Sequence, residues 1–76
     1  MASRGLTKRD REALAVAADG RPIYRFGDGP CILRADGTWL RVTPAGIARL
    51  ERAGLVAWVD AYWLVTAAGR GRIAAR

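Results

Sequence analysis

The 76 residues predict a small α+β domain in the order helix, hairpin, helix, hairpin and short helix. Two observations carry this prediction. The segment Val42-Thr43-Pro44-Ala45-Gly46 returns as Val65-Thr66-Ala67-Ala68-Gly69, and each copy continues to an arginine and a large aliphatic residue. Each copy reads as a strand that ends at a Thr N-cap and turns directly into a helix. The second observation is Asp36-Gly37 between two apolar runs, which is typical of a β-hairpin.

The first predicted element is an N-terminal helix. Ser3 and Thr7 are both candidate N-caps, and Thr7 with Asp10 forms a capping box in which Asp stands where Glu or Gln is usual. Leu14 lies on the predicted buried side of this helix. Gly20 provides a C-terminal stop, because glycine adopts the left-handed conformation that often follows a helix.

Residues 20–30 are rich in turn-forming residues and surround one short extended segment, Ile23–Phe26. The Gly27-Asp28-Gly29 sequence lacks the spacing of a phosphate-binding loop. We therefore expect a loop here with no nucleotide site.

Residues 31–42 predict the first hairpin. Asp36-Gly37 is the preferred dipeptide for a two-residue type I′ turn. Pairing across that turn places Leu33 opposite Leu40 and Arg34 opposite Trp39. Strand alternation then assigns Cys31, Leu33, Leu40 and Val42 to the core and Ile32, Arg34, Trp39 and Arg41 to the outward face.

The next element is a helix over residues 44–53. Thr43 is its N-cap, and Pro44 occupies the first helical position, where a missing N–H costs nothing. Ile47 and Leu50 line its predicted buried side, and Gly54 ends it.

The remaining residues predict a second hairpin and a short helix. Alanine resists positive φ, so the turn at Asp60-Ala61 is expected to be looser than two residues. Trp63 and Val65 should point inward, with Trp58 and Val56 beside them. Thr66 caps a final helix that runs to Ile73, weakened by Gly69 and Gly71, each costing about 1 kcal/mol relative to Ala.

Size and composition limit the possible functions. One domain of this length is near the lower limit for a stable core, so a homodimer is a reasonable expectation. The lone Cys31 excludes an internal disulfide and, with no histidine, leaves no ligand set for structural zinc. The usual Ser-His and Cys-His nucleophile pairs are absent for the same reason. We predict a protein that is not an enzyme and uses no cofactor.

The sequence also predicts a cytoplasmic protein with no membrane partner. Its N-terminal apolar stretch, residues 13–18, is too short for a signal peptide. No apolar run approaches the roughly 18 residues needed to span a bilayer. The single cysteine is in keeping with a reducing compartment.

The formal net charge is +6 and the pI about 11.1. Such a balance attracts DNA, RNA or an acidic protein surface. Every basic residue except Lys8 is arginine, and alanine and glycine are abundant, as a GC-rich coding genome would also produce. A functional basic surface and a compositional bias therefore both remain open.

Two stretches carry a resemblance to a known family: Leu50-Glu51-Arg52-Ala53-Gly54-Leu55-Val56 and Tyr62-Trp63-Leu64-Val65-Thr66-Ala67-Ala68-Gly69. They are similar to the Leu-x-x-x-Gly-Leu-Val and Tyr-x-Leu-Thr-x-x-Gly patterns that flank the wing of winged-helix nucleic-acid-binding domains. Residues 43–76 thus resemble the second half of such a domain. The resemblance implies that helix 44–53 is the recognition helix and that residues 59–62 form the wing tip.

Seven residues are candidates for contacting a nucleic acid or a protein partner. An exposed Trp flanked by arginines on the first hairpin can stack bases or anchor a protein interface. Arginines one turn apart on the recognition helix can meet phosphates or base edges. Arginines of the last helix, with Arg76, form a basic tail suited to phosphates. The candidates are Arg34, Trp39, Arg41, Arg49, Arg52, Arg70 and Arg72.

Each group also has a purely structural interpretation. Arg34 and Trp39 could form a cation–π pair that decorates the hairpin. Arg49 and Arg52 could belong to a solvated helix face, and the C-terminal arginines to a frayed end.

The leading functional hypothesis is a non-enzymatic nucleic-acid-binding module, such as a small phage or bacterial regulator. The alternative is a phage-type protein inhibitor, similar in size and economy to anti-CRISPR proteins, that blocks a nucleic-acid-handling complex. Its partner would be an acidic or nucleic-acid-binding protein surface. A third possibility is a homodimeric structural domain whose hairpin edges pair.

Overall fold

The computed structural model describes residues 6–74. Three helices and one five-stranded antiparallel sheet confirm the predicted α+β class. The elements in chain order are α1 (Lys8–Ala18), β1 (Ile23–Phe26), β2 (Gly29–Leu33), β3 (Trp39–Arg41), α2 (Pro44–Arg52), β4 (Val56–Val59), β5 (Tyr62–Val65) and α3 (Ala67–Ala74). The strand order across the sheet is β3-β2-β1-β5-β4.

The three helices form a layer over one face of the sheet. Leu14 of α1 and Leu50 of α2 are fully buried against strand residues such as Ile32 and Trp63. In residues 6–74 no helix covers the opposite face, where strand residues alternate outward. The buried core is Ala13, Leu14, Ala17, Ile23, Ile32, Leu40, Val42, Ile47, Leu50, Leu55, Val56 and Trp63.

Thr7 is the N-cap of α1, and its capping box is complete. The Thr7 hydroxyl accepts from the backbone N–H of Asp10, and the Asp10 carboxylate accepts from the Thr7 N–H, each at 3.1 Å. A short Asp therefore closes the box that a longer Glu usually closes. Ser3 lies outside the described residues.

The repeated motif builds the same helix start twice. Thr43 and Thr66 each accept a hydrogen bond from the backbone N–H of the repeated glycine, Gly46 or Gly69, at 3.0 Å. Both glycines are buried. The repeat therefore encodes a strand-to-helix junction with a hydroxyl cap, as predicted.

The predicted turn and register of the first hairpin are wrong. The backbone N–H of Arg34 donates to the Thr38 carbonyl at 2.7 Å, and the backbone N–H of Gly37 donates to the Arg34 carbonyl. The loop therefore contains three residues, 35–37, instead of two. Gly37 has φ +89°, whereas Asp36 has no positive φ, which a type I′ turn would require. Asp36 instead accepts from the Thr38 backbone and hydroxyl, which lowers the pKa of the Asp36 carboxyl.

The longer loop changes which residues pair. Ile32 pairs with Leu40, and Leu33 pairs with Trp39. Ile32 is therefore a core residue rather than an outward one. Leu33 and Cys31, which were predicted to face the core, lie on the outward face, where Leu33 is half-buried and Cys31 is buried beside Tyr24 and Arg41. A one-residue change in pairing turns the side chains of one strand to the opposite face. Here β2 is the strand that changes face, and β3 keeps its predicted orientation with Trp39 outward.

Two further expectations are corrected. Ile23–Phe26 is a full strand that lies between β2 and β5 at the centre of the sheet. The second hairpin closes tightly, because Val59 pairs with Tyr62 and Asp60 takes the positive φ, 59°, that Ala61 would resist.

Trp58 is also wrongly predicted, since it is 42% exposed. It lies directly opposite the buried Trp63, with ring centroids 4.7 Å apart, but sits close to the turn, where the helices give it little cover.

Membrane insertion of a helix finds no support in the described residues. Within 6–74, every helix is too short or too polar to cross a bilayer.

Candidate binding surfaces

The helix-free side of the sheet carries a cluster of aromatic side chains, here called the aromatic face. Its members are Tyr24, Phe26, Trp39 and Tyr62, drawn from β1, β3 and β5. Tyr24, Phe26 and Trp39 are 37%, 44% and 49% exposed. Large apolar side chains that share one exposed patch commonly mark an interaction site.

These rings contact one another in sequence across the strands. Phe26 and Trp39 meet edge to face with centroids 5.3 Å apart, and Tyr24 contacts Trp39 at 6.1 Å and Tyr62 at 6.0 Å. Edge-to-face contacts stabilise such pairs by about 1 kcal/mol beyond the area they bury. The cluster therefore presents a preorganised surface rather than separate mobile side chains.

Arg41, one of the two arginines predicted beside Trp39 on the first hairpin, is paired with Asp28. Its Nη2 lies 2.9 Å from Asp28 Oδ2, and its Nη1 donates to the Asp28 carbonyl at 3.3 Å. Trp39 and Arg41 are thus brought to one face, as predicted, with a carboxylate beside the guanidinium.

Arg34 is directed away from the aromatic face. Its guanidinium lies 3.3 Å from Glu12 of α1 and donates to the Thr38 hydroxyl at 3.0 Å. The side chain therefore links the first hairpin loop to the helical layer, and the predicted Arg34–Trp39 pair across the hairpin does not form.

Arg49 reaches from α2 to the buried Asp10 of α1. Its Nε lies 2.7 Å from Asp10 Oδ2, and Asp10 is only 2% exposed. Burial by itself would raise the pKa of Asp10, but hydrogen bonds from Arg49 and Thr7 outweigh burial and hold it below the ordinary value of 3.8. The hydrogen bond to Asp10 likewise raises the pKa of Arg49.

The remaining predicted arginines, Arg52, Arg70 and Arg72, are exposed on α2 and α3. No ion pair involves them among the described residues. Arg76 lies outside the described residues. The predicted recognition-helix pair is therefore divided, because Arg49 is bound to a carboxylate and Arg52 faces solvent.

A groove between α1 and α3 brings the predicted Arg72 together with Lys8 and Arg11, which the sequence analysis did not single out. Lys8, Arg11 and Arg72 surround an apolar floor that includes Leu14 and Ile73. Arg11 is held in place by donating to the Leu6 carbonyl at 3.0 Å. The groove's carboxylate, on Glu12, is paired with Arg34.

Charge is distributed unequally between the two layers. The helices carry seven cations against three carboxylates, whereas the strands and their hairpin loops carry three of each. The helical cations are Lys8, Arg9, Arg11, Arg49, Arg52, Arg70 and Arg72, against Asp10, Glu12 and Glu51. The sheet set is Arg25, Arg34 and Arg41, against Asp28, Asp36 and Asp60.

Sequence reasoning missed Tyr24, Phe26 and Tyr62 as surface residues. The available signal was the alternation of Tyr24 and Phe26 in the short extended segment, which places both rings on one side of a strand. Which strand lies beside which was not encoded in any local pattern, so their meeting with Trp39 could not be predicted.

Comparisons with protein-family models, curated proteins and solved structures give no match for this chain. Its surfaces must therefore be interpreted from their own chemistry.

Proposed function

We propose that this protein is a non-enzymatic nucleic-acid-binding module that contacts phosphates through its helical layer. The observation that supports this most is the charge asymmetry, since the described excess of positive charge lies entirely on the helices. A concentrated basic layer attracts a polyanion far more strongly than the same charges spread evenly.

The groove between α1 and α3 is the proposed centre of this surface. Lys8, Arg11 and Arg72 lie along it, and the neighbouring Arg70 is exposed on α3. Cations that line one groove repel one another, and a phosphate backbone between them would relieve that repulsion while releasing counterions. Contacts of this kind position a nucleic acid without reading its sequence.

Base reading through α2, which the winged-helix resemblance implies, has weaker support. Arg49 is occupied by Asp10, so Arg52 is the cation that the exposed side of this helix offers. The hairpin of β4 and β5 contains Asp60 and no Lys or Arg. We therefore assign the main contacts to α1 and α3, with Arg52 as an additional phosphate contact.

The test is fluorescence anisotropy with labelled duplex and single-stranded oligonucleotides over a range of salt concentrations. The double variant Arg70→Gln/Arg72→Gln should weaken binding and reduce the salt slope by roughly two phosphate contacts. The matched control is Arg25→Gln/Arg41→Gln, which removes the same charge from the sheet and should leave most of the affinity intact.

Equal losses in the two double variants would show that net charge alone drives binding, and the helical assignment would fail. A parent protein that binds no oligonucleotide at low salt would not be a nucleic-acid-binding module. In that case a nuclease-treated pull-down that still recovers one stoichiometric protein would favour the inhibitor hypothesis.

A further inference from the structure

We propose that the aromatic face is the interface of a homodimer, in which the sheets of two copies pack face to face. The starting observation is that Tyr24, Phe26 and Trp39 remain 37–49% exposed although they contact one another. Val59, 41% exposed, extends the patch on β4. Dimerisation through this face does not depend on nucleic-acid binding, which is proposed for the opposite layer.

Charge selects a second copy as the occupant. Each chain carries a formal charge of +6, so two copies repel wherever their helical layers approach. The sheet layer is formally neutral, with Arg41 already paired to Asp28. This side is therefore the one on which two copies can approach closely without juxtaposing unbalanced cations.

The composition of the patch also fits a self-association surface. Interface centres are enriched in Tyr, Trp and Phe and depleted of charge, and paired charges lie at the rim. Trp39, Phe26 and Tyr24 form such a centre, while Arg41 and Asp28 lie beside it. A phosphate backbone would find no unpaired cation among the described residues of this centre.

The available area predicts a modest affinity. Three aromatic side chains of about 200 Å² each, a little under half exposed, provide roughly 250–300 Å² per copy. Val59 and the half-buried Tyr62 and Leu33 add to this area, but two copies would still bury less than the roughly 1,200 Å² at which standard-size interfaces begin. An interface of this size is typical of weak or transient association, so the dimer should form only at high protein concentration.

A two-fold arrangement places the two helical layers on opposite outer sides of the dimer. Added salt screens the repulsion between two +6 chains, so dimerisation should hold or strengthen as salt rises. Phosphate binding by the helices should weaken under the same change. The two surfaces are therefore distinguishable by opposite responses to salt.

The experiment is analytical ultracentrifugation of the isolated full chain, without nucleic acid, from low micromolar to near-millimolar concentration. We expect a monomer–dimer equilibrium between 8.2 kDa and twice that mass. Trp39→Lys places a charge at the centre of the patch and should raise the dissociation constant of the dimer at least tenfold. The matched control is Trp58→Lys, because Trp58 is 42% exposed on the other side of the sheet and should leave the equilibrium unchanged.

Phe26→Lys serves as a second disruption, because it tests the same patch if Trp39→Lys unfolds, and circular dichroism checks each fold. A parent chain that stays monomeric throughout overturns the proposal. So does a dimer that survives both Trp39→Lys and Phe26→Lys, which would indicate pairing of sheet edges. Equal disruption by Trp58→Lys, or quenching of Trp39 by a single-stranded oligonucleotide in a monomeric protein, also overturns it.

Discussion

The two copies of the repeat fold alike but are used differently. In each, a Thr hydroxyl caps a helix and a buried glycine donates to it at 3.0 Å. The arginine three residues after that glycine is where they diverge. Arg49 in the first copy binds the buried Asp10, whereas Arg72 in the second lines the exposed groove beside α1.

This difference shows that a motif fixes local structure but not the role of its side chains. α1 supplies a carboxylate to the first copy, and it supplies Lys8 and Arg11 to the second. The same arginine position therefore contributes to stability in one copy and to surface charge in the other.

The largest effect is expected for Arg49→Ala. It leaves the Asp10 carboxylate buried without its charged partner, which should lower the free energy of unfolding by about 3 kcal/mol. Urea denaturation measures the change. The control is Arg52→Ala on the same helix, whose exposed side chain should alter stability by less than about 0.5 kcal/mol. Equal losses would mean that the Asp10 contact is dispensable.

Both repeated glycines should resist replacement by alanine, but for different reasons. A Cβ at Gly69 would collide with the Leu55 backbone carbonyl and the Val65 side chain, so Gly69→Ala should cost about 2 kcal/mol. A Cβ at Gly46 would meet the Asp10 carboxylate and the Thr43 hydroxyl. Because Arg49 and Thr7 hold that buried carboxylate in place, Gly46→Ala should also destabilise the protein, by disturbing the Asp10–Arg49 contact.

Gly71→Ala is the control for that pair. Nothing lies within 4 Å of a Cβ at this helical position, so alanine should stabilise the protein by up to about 1 kcal/mol. Thermal unfolding of the three variants gives the order directly. A stabilised Gly69→Ala variant would contradict the close approach of α3 to Leu55.

The Asp10–Arg49 pair should also appear in the pH dependence of stability. The pKa of Asp10 is lower in the folded state than its ordinary value of 3.8, so the ionised carboxylate stabilises the fold above that pH. This contribution is lost as pH falls below 3.8 through the folded-state pKa. The difference in unfolding free energy between the parent and Asp10→Asn should therefore shrink in that range, and a pH-independent difference would refute the ion pair.

The smallest effect on stability is expected for Arg72→Ala, within about 0.5 kcal/mol, because the side chain is exposed. Its effect should appear in oligonucleotide binding, as a salt slope reduced by about one phosphate contact. A destabilised variant with unchanged binding would reverse the roles assigned to the two copies.

Local signals in the sequence predicted the elements well. Thr43 and Thr66 mark both helix starts, and the buried Leu14, Ile47 and Leu50 follow the helical period. Asp36-Gly37 indicated a hairpin correctly but not its loop length, because a glycine in the left-handed region serves a three-residue loop equally well. The one additional loop residue sets the register in which Ile32 pairs with Leu40 and faces the core.

The candidate surfaces were harder to predict, because they depend on contacts between distant residues. Arg34, Arg41 and Arg49 all looked available in the sequence, yet each meets a carboxylate brought to it by the fold. The composition gives the net charge of the chain. It does not show that the positive charge is concentrated on the helices while the sheet is neutral.

The facing tryptophans, 58 and 63, have a spectroscopic consequence. With centroids 4.7 Å apart and planes inclined by 65°, their transition dipoles lie close enough to couple and to give paired circular dichroism bands of opposite sign. The Trp63 indole donates to Glu51 at 3.4 Å, which ties this optical signal to the seating of α2 on the sheet. Trp39 lies on the opposite side of the sheet, so these paired bands report on the packing of α2, β4 and β5 and not on the aromatic face.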